Sequence, residues 1–517
     1  MSFFLAPSAD EAHRVWRSLT ISLSFLALLL ALLLGGASAA LAQEPPLPAP
    51  EAGAGSDPGT VAPAPVPEVP APPAPPAPPD APSAALSTKV DDADQIARIA
   101  ARKVELLEEQ IAARAKESPA VLADEKGFGV RSADGGYTLR IHGLLQADSR
   151  WFLGDAAISD RLDTFLLRRF RPAIDGTLFN IADFRFVPDF AGGTATIFDG
   201  YADVHPAAFV RLRAGKFKAP LGIERLQADA DLPIIERALT QYLTPNRDLG
   251  LALWGDVAGG VFNYNLGIYN GGFDNSNLDV DSNHAKDFVG RILIQPFKYE
   301  PFKALGSLGV HLAASRGDRR GLPAATLLPQ FRTAGLNTFF TYLAPMPDAD
   351  GSKTVFAYLT QTRLNPGLFY YYGPVGLLAE AVWSRQEVRK SNTTAKLTHK
   401  AAHATVSYVF GGKNGYDGAT PTQVFDLSKG TLGALEVALR WNVLKVDDAT
   451  FPDYADLSKS ASKAQGWAGA VNYVPSRTLR LAVNYERTTF TGGGGTAAAI
   501  KNRNTEAVVI GRVQVNF

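Results

Sequence analysis

The sequence predicts an all-β protein, a 16-stranded antiparallel transmembrane β-barrel. Three observations predict it. From residue 137 onward the chain runs in stretches of about 8–12 residues that alternate apolar and polar side chains, broken by turn chemistry. The last stretch sets Ala507, Val509, Val513, Val515 and Phe517 against Arg512, Gln514 and Asn516, and it closes on an aromatic. Mean hydropathy is −0.02 with 47 glycines, 29 phenylalanines and 16 tyrosines. That balance is wrong for a bundle of membrane helices and suits a barrel whose lumen-facing half is polar. Residues 137–517, at about 24 per strand and connection, give 16 strands, an even number as such barrels require.

Residues 1–42 read as a secretory signal peptide. Arg14 and Arg17 precede an apolar run over 19–34, and two A-x-A sites follow, Ala37-Ser38-Ala39 and Ala40-Leu41-Ala42. Cleavage is expected after Ala42, so the mature chain is exported. Residues 43–90 form a Pro/Ala-rich linker that cannot build a core. In polyproline II form, at ~3.1 Å per residue, it reaches on the order of 100 Å. It is expected to be either a disordered, flexible linker or a semi-rigid polyproline spacer in the periplasm, the latter long enough to approach peptidoglycan. Residues 91–117 read as a short coiled-coil helix. Ala97, Ala100, Val104, Leu107 and Ile111 step by 3, 4, 3, 4, and Pro119 ends the run. About two heptads are marginal alone and zip only as part of an oligomer.

The barrel occupies 137–517. Leu435, Val437, Leu439, Trp441 and Val443 oppose Glu436, Arg440 and Asn442, and Leu479, Leu481, Val483 and Tyr485 oppose Arg480, Asn484 and Glu486. Side chains alternate faces in a strand, so each has a lipid face and a lumen face. Short turns alternate with longer polar connections, which predicts short turns on one rim and long loops on the other.

The organising stretch is FVRLRAGKFKAPLGIER at 209–225. Val210, Leu212 and Ala214 point one way, Arg211 and Arg213 the other. Alternation is expected to stop after Ala214, where Gly215, Pro220 and Gly222 break the strand and Lys216, Lys218 and Arg225 crowd the break. A non-repetitive segment follows to about Gly250, long enough to expect a function for it. The reading is a pore with a basic constriction loop. Strand parity adds Arg169 and Arg171, which share a face with Asp175, and Arg291, opposite Phe288 and Ile292. Arg168 conflicts with that parity. The expected anion-binding and pore-lining set is therefore Arg169, Arg171, Arg211, Arg213, Lys216, Lys218, Arg225 and Arg291. Arginine offers flat bidentate contacts to oxyanions, and lysine offers a mobile point charge. The opposing reading is that Asp199, Asp203, Glu224, Asp229, Asp231 and Glu236 neutralise these cations.

Several of these stretches resemble the phosphate-selective porin O/P family: LRRFRPAIDG at 167–176, DGYAD at 199–203, LRAGKFKAPLGIE at 212–224, RDLGL at 247–251, GIYNG at 267–271, KDFVGR at 286–291 and GALEVALR at 433–440. The resemblance covers 137–517. It implies a 16-stranded homotrimeric porin of the bacterial outer membrane with an inward-folded third loop. It also implies passive diffusion of small anions, with phosphate or polyphosphate as the expected solute, towards a basic constriction. The terminal strand ending in Phe517 resembles the signal read by the barrel assembly machinery. Outer-membrane lipid and small inorganic anions are the other expected partners, with the N-terminal arm in the periplasm. A non-selective diffusion porin and a structural envelope-tethering barrel are the alternatives.

Other classes find little support. Net charge is zero, with 51 basic and 51 acidic residues, although basic residues modestly outnumber acidic ones beyond residue 137. There is no cysteine, which removes disulfides, thiolate metal sites and thiol nucleophiles. The seven histidines form no HExxH, and neither GxSxG nor a P-loop occurs. No enzyme activity, cofactor, metal or nucleic acid is expected.

Overall fold

The computed structural model describes residues 83–517 except 155–161, 278–280, 282–283, 300–302, 346–347 and 349–350. The signal peptide and the linker up to residue 82 lie outside the described residues. Two units are present. The first holds an α-helix, α1 (Ser83–Glu117), which begins inside the stretch assigned to the linker. The second is the body from Pro119 to Phe517.

The body is a closed barrel. Its strands in chain order are β1 (Thr138–Leu153), β2 (Thr164–Leu178), β3 (Ala182–Asp189), β4 (Thr196–Ala207), β5 (Val210–Lys218), β6 (Arg247–Val257), β7 (Phe262–Tyr269) and β8 (Asp287–Ile294). They continue as β9 (Gly309–Arg320), β10 (Val355–Tyr372), β11 (Val375–Lys390), β12 (Thr393–Phe410), β13 (Ala434–Lys445), β14 (Ala461–Ser476), β15 (Leu479–Thr496) and β16 (Glu506–Asn516). Each pairs antiparallel with the next, and β16 pairs with β1 from Ala507↔Leu153 to Asn516↔Leu144. Closure leaves no sheet edge in the hydrocarbon, where an unpaired backbone group costs several kcal/mol.

Side-chain alternation sorts the two faces as the sequence predicts. On β13 the even-numbered Glu436, Arg440 and Asn442 are buried inside, while Leu435, Val437 and Leu439 are exposed outside. Leu212 and Leu251 are likewise exposed beside the inward Arg211 and Arg213. The outward apolar surface is the face a bilayer covers.

The connections depart from expectation on both rims. On the rim that carries Phe517, most turns are short, but 295–308 and 411–433 are long. On the opposite rim, where long loops are expected, β11 and β12 are joined by Ser391 and Asn392 alone. A further hairpin, Ala120–Asp124 with Gly127–Arg131, precedes the barrel and was not anticipated. It pairs with the first residues of β1, from Phe128↔Ile141 to Arg131↔Thr138, and so extends the sheet where β16 has already ended.

The lumen is filled from the opposite rim. Residues 219–246 and the described residues of 321–354 both fold inward and share an apolar cluster. Leu239, Tyr242 and Leu243 of the first pack with Phe331, Phe339, Phe340 and Tyr342 of the second, against Val382, Leu397, Leu444 and Phe490 of the wall. The inward turn of this second segment was not anticipated.

Candidate functional site: the lumen constriction

β5 does not end at Ala214 as expected. It continues to Lys218, paired with β4 as far as Gly200↔Lys216 and with β6 as far as Lys218↔Arg247. Glycine makes this possible, since Gly215 has φ 127° and a Cβ there would lie 2.3 Å from the Gly200 carbonyl oxygen. The constriction segment therefore starts at Ala219, and Lys216 and Lys218 belong to the strand.

Residues 219–246 cross the lumen and are tied to the wall on many sides. The Gly222 and Ile223 amides donate to Asn365 Oδ1 at 2.8 Å and Glu380 Oε2 at 2.7 Å on β10 and β11. Arg440 on β13 donates to the Glu236 carbonyl at 2.6 Å, and Asn472 on β14 to the Pro233 carbonyl at 2.9 Å. Arg480 on β15 reaches the Ala230 carbonyl at 3.2 Å, Arg512 on β16 the Ile235 carbonyl at 3.0 Å, and Gln146 on β1 the Asp229 carbonyl at 3.2 Å. From the long connection 411–433, the Tyr416 hydroxyl donates to the Ile223 carbonyl at 2.6 Å. A segment without regular structure satisfies its buried backbone groups through these side chains.

Two cavities of about 560 Å³ each lie along it. One reaches Asn516 and Phe517 at the terminal rim. The other reaches Leu328, Gln330 and Arg332 of the second inward segment. Arg171, Phe198, Asp229 and Arg247 line both, so they mark the throat where the cavities meet. In each lining, seven lysines and arginines face three carboxylates.

Two β-bulges build the throat. On β2 the pairing passes from Gln146↔Arg169 to Ala147↔Leu167 and skips Arg168. On β4 it passes from Val187↔Asp199 to Pro188↔Ile197 and skips Phe198. A bulge re-aims the extra side chain. Arg168 thereby turns inward and donates to Glu236 at 2.7 Å, although strict alternation would put it outside. The Phe198 ring lies between two guanidinium groups, Arg171 at 3.4 Å and Arg247 at 3.3 Å from its centroid. A cation over an aromatic face is attracted by the ring quadrupole, which fixes both arginines without neutralising them.

The carboxylates are shared unevenly. Asp229 pairs with Arg169 at 3.2 Å and also with Arg171 and Arg237. Glu236 pairs with Arg150 at 2.6 Å and Arg168 at 2.7 Å. Asp199 pairs with Arg247 at 3.2 Å. Lys218 and Arg225 instead meet neutral acceptors. Lys218 Nζ donates to the Gln227 and Leu226 carbonyls at 2.6 and 3.1 Å. Arg225 donates to the Gln241 carbonyl at 2.7 Å and Asn275 Oδ1 at 2.6 Å. Burial, reinforced by Arg237 and Arg247, pushes the Arg225 guanidinium down to about 9, which still leaves it charged at neutral pH.

The family model for the phosphate-selective porins O and P matches residues 139–517. The chain belongs to that family. It is an outer-membrane porin, and its fold and family are those of a channel. No curated protein matches its sequence. Similar solved structures include the outer membrane channel DcaP of Acinetobacter baumannii, 13% identical with a TM-score of 0.47, covering 76% of this chain and 99% of that one. An anion-selective porin from Comamonas acidovorans is 13% identical with a TM-score of 0.46, covering 74% and 100%. OmpT of Vibrio cholerae lacking loop L8 is 12% identical with a TM-score of 0.45, covering 74% and 100%.

In this porin the eight expected site residues separate. Arg169 and Arg225 line the cavity towards the second inward segment, Arg171 lines both, and Lys218, Arg213 and Arg291 line the cavity towards the terminal rim. Arg211 lines neither. It pairs with Asp183 at 3.2 Å and stacks on Trp254. Lys216 is buried and lines neither cavity. The porin's throat also uses residues that sequence reasoning left out: Arg168, Phe198, Arg237 and Arg247. Arg247 stood in view as the first residue of the RDLGL motif. Phe198 had no signal, because a bulge is invisible to a period-2 pattern.

Proposed function

We propose that this porin conducts small anions preferentially, with phosphate-like oxyanions held transiently at the throat between Arg171, Phe198 and Arg247. The observation that carries the reading is the sevenfold basic lining of both cavities, in which Lys218 and Arg225 meet only neutral acceptors. An anion entering a narrow pore gives up part of its hydration, and fixed donors must replace it weakly enough to allow exit. Arg225 and Arg247 supply charge from the inward segment and β6, and Arg171 supplies it from the wall. Asp229, Asp199 and Glu236 pair with guanidiniums of the lining, Arg171 and Arg247 among them, and keep the well shallow.

The helix α1 supports a trimeric assembly, since its apolar seam gains a partner only when several copies meet. In this proposal the N-terminal arm lies in the periplasm, within reach of peptidoglycan, and the strand ending in Phe517 is read by the barrel assembly machinery.

The test is single-channel current in KCl with phosphate added. Phosphate is expected to block the chloride current, and Arg225→Gln and Lys218→Gln are each expected to weaken the block roughly tenfold, the scale of one lost charge-assisted contact. Absence of block in the wild type would leave a general diffusion porin whose basic cluster is paired off by its carboxylates.

A further inference from the structure

A second basic feature lies outside the barrel. On the outer face of three successive strands, Lys400 of β12 pairs directly with Lys445 of β13, and Lys445 pairs directly with Lys463 of β14. Directly opposed residues have Cβ atoms about 5 Å apart, and like charges placed so are destabilising. Only part of that cost is relieved within the chain. Lys445 makes an exposed ion pair with Asp448 at 2.8 Å. Lys400 and Lys463 have no carboxylate partner among the described residues. No lumen function explains the row, since all three side chains face away from the interior.

The row has a defined depth. Ten residues separate Lys445 from Leu435 at the other end of the outer apolar face of β13. At ~3.3 Å per residue and ~40° of tilt, that is about 25 Å along the membrane normal, the height of the apolar band of an outer-membrane barrel. Four residues towards the band, Trp441 and Trp467 are also direct partners, as expected of an interfacial aromatic belt. The lysines thus stand about 10 Å beyond the tryptophans, at headgroup level. They lie on the rim away from Phe517, the side of the longer loops and hence of the outward leaflet.

We propose that Lys400, Lys445 and Lys463 form a binding site for the phosphate groups of a lipid headgroup in the outward leaflet. Beyond Val443 and its partner Gln465 the row borders an apolar face carrying Leu439 and Trp467, so an amphiphile satisfies both at once. Its phosphates bridge the lysines while its acyl chains cover the strands below. A free inorganic anion meets the same lysines with solvent on the open side and gains no second contact. Bound phosphate also removes the cross-strand repulsion, so the site contributes to stability as well as to lipid contact. This inference rests on the barrel and its register and is independent of anion selectivity in the lumen.

The test compares the full-length wild type with the triple variant Lys400→Gln, Lys445→Gln, Lys463→Gln in phosphatidylcholine nanodiscs. Binding of bis-phosphorylated lipid A and of its dephosphorylated form is read by native mass spectrometry. The wild type is expected to bind the phosphorylated lipid roughly 10- to 100-fold more tightly than the variant, given three lysines near a charged surface. The dephosphorylated lipid is expected to bind both equally weakly, and inorganic phosphate is expected not to compete. The single variants Lys400→Gln and Lys463→Gln should show intermediate losses, which keeps the test open if the triple variant assembles poorly. Equal binding of phosphorylated lipid A to wild type and variants would overturn the proposal. So would competition by equimolar inorganic phosphate, which would make the row a site for the free ion.

Discussion

Asp229 forms ion pairs with Arg169, Arg171 and Arg237, three guanidiniums drawn from the wall and from the inward segment itself. Removing one partner of a buried ion pair leaves uncompensated charge, at a cost of about 3 kcal/mol or more. Asp229→Asn is therefore expected to lower the urea-unfolding free energy of the barrel by about that amount, and an unchanged midpoint would show that the pairing contributes nothing. Asp231, two residues on, behaves oppositely. Burial, with Asp417 close by, raises its carboxyl to about 7 from an ordinary 3.8. The folded state then holds the proton longer than the unfolded chain does. The stability from this group is full below about pH 4 and is lost as pH rises through about 7. Asp231→Asn is expected to flatten the fall in melting temperature between about pH 5 and pH 8, and parallel curves for the two proteins would contradict it. At this scale the sequence was partly legible. Parity placed Arg169, Arg171 and Arg213 inside. It misjudged Arg168 because one extra residue in β2 reverses the alternation, and it set Lys216 in a loop that is still strand.

The inward segment is one element whose shape depends on a few backbone positions. Gly222 has φ 89°, and a Cβ there would lie 2.8 Å from the Arg225 Cβ. Strain of this kind costs about 1–3 kcal/mol, and here it falls on the turn that aims Arg225. Gly222→Ala is expected to weaken phosphate block as Arg225→Gln does, although every charge is retained. Wild-type block in Gly222→Ala would mean that the segment absorbs the change without moving Arg225. That a long segment followed β5 was evident from its broken alternation, yet whether it turned inward depended on partners such as Asn365, Glu380 and Arg480, far away in sequence. The second inward segment was readable in retrospect. Phe331, Phe339, Phe340 and Tyr342 are too apolar for a solvated loop, and they pack with Tyr242 and Leu243 of the first.

The whole barrel was the most legible feature, because its evidence repeats in every strand: alternation, turn chemistry and a terminal aromatic point the same way. Charge is arranged at this scale too. The chain is neutral overall, while both cavity linings are basic. A low-dielectric wall focuses that excess into the pore, so the sign of the permeant ion follows from the lining and not from the total. The reversal potential of single channels in a KCl gradient across a planar bilayer reads that sign directly. A potential displaced towards the chloride equilibrium value, and less displaced in Arg225→Gln, is the predicted result. A potential near zero, or displaced towards potassium, would contradict anion preference.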